Sequence, residues 1–189
     1  MTQDLPLFPL NAVLFPGGRL PLRIFEQRYM EMAKACLRDG TPFGVCLIRE
    51  GNEVGAPATP VEVGCLAHIG AWDMPQLGML HVTARGEQRF RIVERRVQGD
   101  GLARAEVEMI GNDIDSSIPG SCAGCVRLLE RVIEQQSALF DAPRRLDSAS
   151  WVSSRLAEIL PIPLAAKQEL LEVLDGRARL ERLNALLGR

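Results

Sequence analysis

Residues 5–29 read LPLFPLNAVLFPGGRLPLRIFEQRY, and how this stretch folds decides the architecture. Pro6, Pro9, Pro16 and Pro21 interrupt a run of leucines and phenylalanines that holds no cysteine, histidine or serine. Proline fixes φ and has no N–H, so each one confines a strand to an edge, an end or an irregularity. The stretch therefore reads as short extended pieces with a turn at Pro16-Gly17-Gly18, where glycine supplies positive φ. A helix follows. Phe25, Tyr29, Met32, Ala33, Cys36 and Leu37 recur at helical spacing, and Gly40 suits the residue just past its end.

Strand patterns fill the next seventy residues. FGVCLI (43–48) is a short buried run. VEVGCLAHIGAW (61–72) and GMLHVTARG (78–86) suggest a hairpin around DMPQL, residues 73–77. RFRIVERRV (89–97) and LARAEVEMI (102–110) pair across the turn signal QGDG. Strands this closely spaced, with one early helix, predict a small closed or half-closed β structure. The polar segment GNDIDSSIPGS (111–121) then marks a boundary, and helical patterns occupy the rest. The fold class is α+β, with a β-rich domain at 1–115 and a helical bundle at 116–189.

Composition excludes several functions. Of 189 residues 47% are apolar and 24% charged, as in an ordinary globular protein. The net charge is −2, and neither side of residue 115 is polarised, with 12 basic against 15 acidic residues before it and 10 against 9 after it. No whole-molecule field attracts nucleic acid or an anionic membrane. MTQD at the start is not a secretory signal, and no apolar run approaches the ~20 residues that span a bilayer. Five scattered cysteines in apolar surroundings fit a cytoplasmic, reduced protein.

Catalytic patterns fail on context. Gly120-Ser121-Cys122-Ala123-Gly124 has the spacing of a nucleophile elbow, but its preceding segment is polar and both histidines, His68 and His81, lie upstream. Cys122 and Cys125 form one potential metal pair and Cys65 and His68 another. Residues three apart on a strand diverge, and the pairs fall in different domains, so no metal site is expected. No phosphate-cradling loop is present, and no cofactor is expected. One feature favours RNA. Arg89, Arg91 and Arg95 share strand parity, so one sheet face within 85–96 would be basic, though without interleaved aromatics.

The opening stretch also resembles the N-terminal, substrate-binding domain of the Lon protease family. That family carries a P-L-x-x-V-x-F-P pattern continuing to P-L-x-I-F-E-x-R-Y, met here from Pro9, Leu10, Val13, Phe15 and Pro16 to Phe25, Glu26, Arg28 and Tyr29. VGCLAHI and VTARGEQRFRI resemble two later strands, with Gly86, Arg89 and Phe90 in register, and KQELLE (167–172) resembles the helical end. The resemblance implies a PUA-like β pseudobarrel with one early helix, then a helical bundle. It implies a non-enzymatic, stand-alone polypeptide-binding module whose clients are unfolded or tagged polypeptides, without the family's ATPase and peptidase parts. An ATP-dependent protease in trans and a second copy of the chain stand as further partners; a membrane does not.

The chain departs from that pattern at the central hairpin. Where the family has a polar tip, this sequence has WDMPQLGM, with Trp72, Met74, Leu77 and Met79 at or beside it. An apolar tip suggests a contact, and these four residues are the candidate polypeptide-binding set. The alternatives are that the tip folds back on the barrel or makes a dimer contact.

Overall fold

A computed structural model describes residues 2–188. The chain forms two units, Met1–Gly111 and Asn112–Arg189, divided inside the polar segment.

The first unit contains β1 (Thr2–Leu10), β2 (Arg19–Ile24), α1 (Gln27–Asp39), β3 (Phe43–Glu50), β4 (Thr59–Pro60), β5 (Val63–Gln76), β6 (Met79–Val97) and β7 (Ala103–Met109). Five of the strands close a ring in the order β1-β7-β6-β5-β3, and a parallel β1–β3 pairing completes it. This is the β pseudobarrel, and the class is α+β. β2 lies outside the ring, paired with the first part of β6, and β4 pairs with β3.

The prolines shape this geometry less drastically than expected. β1 runs unbroken through Pro6 and Pro9, because the strand changes partner between them. Residues 2–6 pair antiparallel with β7, and residues 7–10 pair parallel with β3. Pro16 and Gly17 do break the chain, with Gly17 at φ 73°. The Gly17 N–H donates to the Gly86 carbonyl at 2.8 Å, and the Gly86 N–H donates to the Gly18 carbonyl at 2.9 Å. A Cβ at Gly86 would stand 2.2 Å from the Phe15 carbonyl oxygen, so this docking requires glycine there.

The helix α1 begins at Gln27, so Phe25 lies before it and not on its buried stripe. Tyr29, Met32, Ala33 and Cys36 do face inward, and Gly40 ends the helix at φ 63°. The Tyr29 ring stacks on Phe8 with centroids 4.1 Å apart. Arg28 is also buried. Its guanidinium donates to the Gly101 and Gly55 carbonyls at 3.1 and 2.8 Å and to Glu26, and Glu26 in turn accepts the Gly55 N–H. One FEQRY segment thus clamps two loops, residues 51–58 and 98–102. Two apolar cores result, one between α1 and the β2–β6–β5 strands, the other inside the ring around Phe90, Leu7 and Val107.

The second unit contains α2 (Ala123–Gln135), α3 (Ala149–Ile159), α4 (Leu164–Glu172) and α5 (Gly176–Leu187). Ser148 caps α3 by accepting the Trp151 N–H at 3.0 Å, and Asp175 caps α5 through the N–H groups of Arg177 and Ala178. Gly176 is the first residue of α5, and a Cβ there would lie 2.6 Å from the Ser150 nitrogen. The polar segment is fastened rather than loose. Arg179, fully buried, pairs with Asp113 and donates to Ser153 and to the Val173 carbonyl at 2.9 and 2.8 Å. No helix among the described residues is long and apolar enough to cross a membrane.

Candidate apolar binding surface

The β5–β6 hairpin is longer than its sequence suggests. DMPQ (73–76) belongs to β5, and MLHVTARG (79–86) and RFRIVERRV (89–97) are parts of the single strand β6. The turn is only Leu77-Gly78, closed by Gln76 opposite Met79, and Gly78 takes φ 83°. Its outer half, with β2 alongside, forms a three-stranded arm.

Alternation divides the arm into two faces. On one face Leu22 of β2, Val82 of β6 and Trp72 of β5 lie side by side in a single rung. Val82 is buried and belongs to the core under α1, whereas Trp72 is 60% exposed. Met74 and Leu77 continue outward at 39% and 97% exposure, and Met79 is half-buried with its sulfur 3.8 Å from the Gln76 amide nitrogen. The tip does not fold back on the barrel. An apolar row that begins inside the core runs out of protein to cover it.

Next to this row lies a cleft of about 340 Å³, lined by Leu10, Leu20, Leu22, Phe25, Tyr29 and Val54. Phe25 is 52% exposed, and Val54 is exposed on the loop that Arg28 and Glu26 hold in place. The Asn11 N–H donating to Glu53 at 2.6 Å fastens the same loop. Sequence reasoning missed Phe25 and Val54 as site residues. Phe25 fits the helical period and so reads from sequence as part of the buried stripe. Glu26 is the N-cap but makes no side-chain cap hydrogen bond, so no capping residue announces a helix start that leaves Phe25 outside.

The arginine set does not form one surface. Arg89 is 2% exposed, with its backbone carbonyl accepting the Ile110 N–H at 2.9 Å. A bulge at Val93 then reverses strand parity, since Ile92 faces Val107 but Glu94 faces Glu106. Arg91 consequently shares a face with Glu108, and Arg95 with buried Ala105. Arg91 also pairs with Glu62 at 3.8 Å. The expected basic face at 85–96 is split by the bulge and by burial, so these residues offer no joint phosphate contact.

The remaining chemistry is equally dispersed. All five cysteines are buried free thiols, and burial pushes those of Cys36, Cys46 and Cys125 up from their ordinary values. The Cys125 thiol donates to Asn184 at 3.5 Å. His68 faces Glu87 at 3.3 Å rather than Cys65. No group of three or more metal-ligating side chains occurs among the described residues. Gly120–Cys122 is a single turn leading into α2 with no strand before it, and the Cys122 thiol is covered.

The described residues form a closed β ring with a projecting, partly apolar arm, joined in sequence to a helical unit, and among them no catalytic constellation is assembled. Residues 4–189 match the family model of the ATP-dependent protease La (LON) substrate-binding domain, and the chain belongs to that family. The crystal structure of a Lon N-terminal domain protein from Xanthomonas campestris superposes with a TM-score of 0.80 at 37% identity, covering 97% of this chain and 98% of that one. The N-terminal domain of the Mycobacterium avium complex Lon protease shares the fold, with a TM-score of 0.68 at 18% identity over 96% of each chain. Lon protease from Paraburkholderia phytofirmans is 31% identical over 99% of this chain and 24% of its own length. The chain spans about a quarter of the length of the curated Lon proteases it matches.

Proposed function

We propose that this domain is a non-catalytic binder of apolar segments in unfolded or tagged polypeptides. The observation that carries this reading is the Leu22–Val82–Trp72 rung, which continues a buried core row onto the exposed arm. Trp72, Met74 and Leu77 supply adaptable contact area, and the cleft beside Phe25 accepts a client side chain. Each apolar side chain fully covered there contributes roughly 1.5–3 kcal/mol before the losses of ordering and association. A patch of this size supports weak, exchanging contacts, as suits a domain that samples many clients. The family description, a substrate-binding domain of an ATP-dependent protease, supports the same reading and makes such a protease the natural recipient of the client.

The test is titration of a permanently unfolded model protein against wild type and a Met74→Asp, Leu77→Asp double variant. Wild type binds, and the variant loses about tenfold or more in affinity. Equal binding by both removes the tip from the proposal.

A further inference from the structure

The strand β2 has one open edge. Its antiparallel ladder with β6 runs without a shift from Arg19 opposite Arg85 to Ile24 opposite Leu80. On the side away from β6, no strand among the described residues pairs with it. Pro21 fixes which backbone groups face that side. Proline has no N–H for the ladder, so within a sheet it sits on an edge strand with its nitrogen turned outward. In an antiparallel strand a residue's N–H and carbonyl point to the same side, and that side alternates along the chain. Arg23 shares the parity of Pro21. The outward groups are therefore the Pro21 carbonyl and both the N–H and the carbonyl of Arg23, while those of Leu20, Leu22 and Ile24 face β6.

The cleft of about 340 Å³ lies along this edge. Residues 20–26 line it without exception, so it meets the backbone of the strand and not one face alone. Its far wall is apolar, since Phe8, Leu10, Leu22 and Tyr29 belong to the core under α1 or pack against it. At the rim Arg23 sets one positive charge against the negative charge of Glu53, and Glu26 is paired with Arg28, so the cleft selects no net charge. Open backbone groups on one side and apolar walls on the other complement an extended, uncharged, apolar segment. The other open edge of the arm is less suited. β3 leaves β5 beyond Ala67, but shifts at Ile69/Ala71 and Asp73/Gln76 break the pleat of β5 there.

We propose that an extended apolar segment of a client polypeptide pairs with β2 as an added strand. Its backbone bonds to Pro21 and Arg23, and its alternate side chains enter the cleft. The inference rests on the polypeptide-binding reading and supplies its mode of recognition. Main-chain hydrogen bonds give the affinity and the cleft asks only for apolar alternation, which suits a binder of many sequences. The N–H that Pro21 lacks limits the number of bonds, so the pairing stays short and reversible.

Fluorescence anisotropy with a labelled decapeptide of alternating Val and Ser tests it. Two further versions are N-methylated, one on the valines and one on the serines, which keeps the side chains and removes backbone donors. Wild type binds the parent peptide. One methylated version loses about tenfold and the other far less, because only one edge of an added strand meets β2. Arg23→Pro removes the outward N–H at a position with the parity of Pro21. It binds the parent about tenfold more weakly than Arg23→Ala, which keeps that N–H, and circular dichroism verifies that both variants fold. Equal binding of the two methylated versions, or equal binding by the two variants, overturns the added strand. Failure of wild type to bind the parent peptide also overturns it, as does a wild-type dimer that Arg23→Pro dissolves and the peptide does not, which gives the edge to a second copy. In each of these cases, continued binding of the unfolded model protein by wild type leaves the apolar reading standing, whereas its absence removes both.

Discussion

Trp72 stands directly across the β5–β6 ladder from Val82, one side chain 60% exposed and the other 3%. Two residues in one rung, on one face, thus occupy opposite environments. The face is continuous, and what changes along it is the cover supplied by α1 and the core residues packed with it. A surface made this way carries the apolar chemistry of the core onto an exposed arm. That is the property a binder of exposed apolar segments needs.

On the proposed reading Trp72 reports client binding directly. The second tryptophan, Trp151, lies half-buried in α3, so a Trp151→Phe background isolates the signal. Emission of the free protein is that of a solvated indole, and it moves to shorter wavelength on addition of an unfolded client. Trp72→Ala abolishes the response yet changes stability by no more than about 0.5 kcal/mol, the usual range for an exposed site. An unchanged spectrum at saturation shows that the client binds elsewhere.

Much of this was legible in the sequence, and the exceptions have physical causes. Alternation located the strands, and the apolar residues at 72–77 marked the tip. The extent of β6 was not legible, because Gly86 looks like a break in a strand pattern. In the structure Gly86 is where the Phe15–Gly18 turn packs against the strand, which continues through it. The arginine face failed for a related reason. Parity counting assumes an unbroken pleat, and the bulge at Val93 has no distinctive residue to announce it. Only pairing in three dimensions brings Arg19 of β2, Arg85 of β6 and His68 of β5 into one rung.

Gly86→Ala tests whether that packing holds the barrel together. The added Cβ meets the Phe15 carbonyl at 2.2 Å and the Leu14 side chain at 3.0 Å, and the backbone groups involved are hydrogen-bonded in place. The turn must retreat, so a loss of about 2–4 kcal/mol in unfolding free energy is expected by urea titration. Gly78→Ala at the exposed turn strains a φ of 83° but meets no neighbour, so it costs about 1 kcal/mol. Equal losses from the two substitutions would contradict the packing argument.

Arg179 is the corresponding keystone of the helical unit. Its guanidinium reaches Asp113, Ser153 and the carbonyls of Ser150 and Val173. Arg179→Met leaves Asp113 without its cation and is expected to cost about 3–5 kcal/mol. Adding Asp113→Asn recovers part of that loss, because the stranded charge is removed. Thermal unfolding of the two variants measures the recovery. No recovery would mean that the arginine's hydrogen bonds to Ser153 and the carbonyls, rather than its pairing with Asp113, carry the effect.

Asp115 gives this unit a defined acid sensitivity. Burial would push its carboxyl up, but the Ser148 hydroxyl, the N–H groups of Ser150 and Ser116 and the Arg145 guanidinium together hold it below its ordinary value of 3.8. A carboxyl lowered in the folded state binds protons more readily when unfolded. Its contribution is therefore complete above its ordinary value and lost as pH falls through the lower folded value. Asp115→Asn should lower stability by about 1–2 kcal/mol at neutral pH, the worth of hydrogen bonds to a charged group. The gap between variant and wild type then narrows as pH falls below the ordinary value of 3.8 and the wild-type carboxyl itself takes up a proton. Asp4, lowered by Arg104 and Arg96 against the effect of burial, adds acid sensitivity to both proteins alike and cancels in the difference. Urea unfolding at stepped pH measures the gap, and a gap that stays constant down to about pH 2 would show that Asp115 acts through shape and not through its charge.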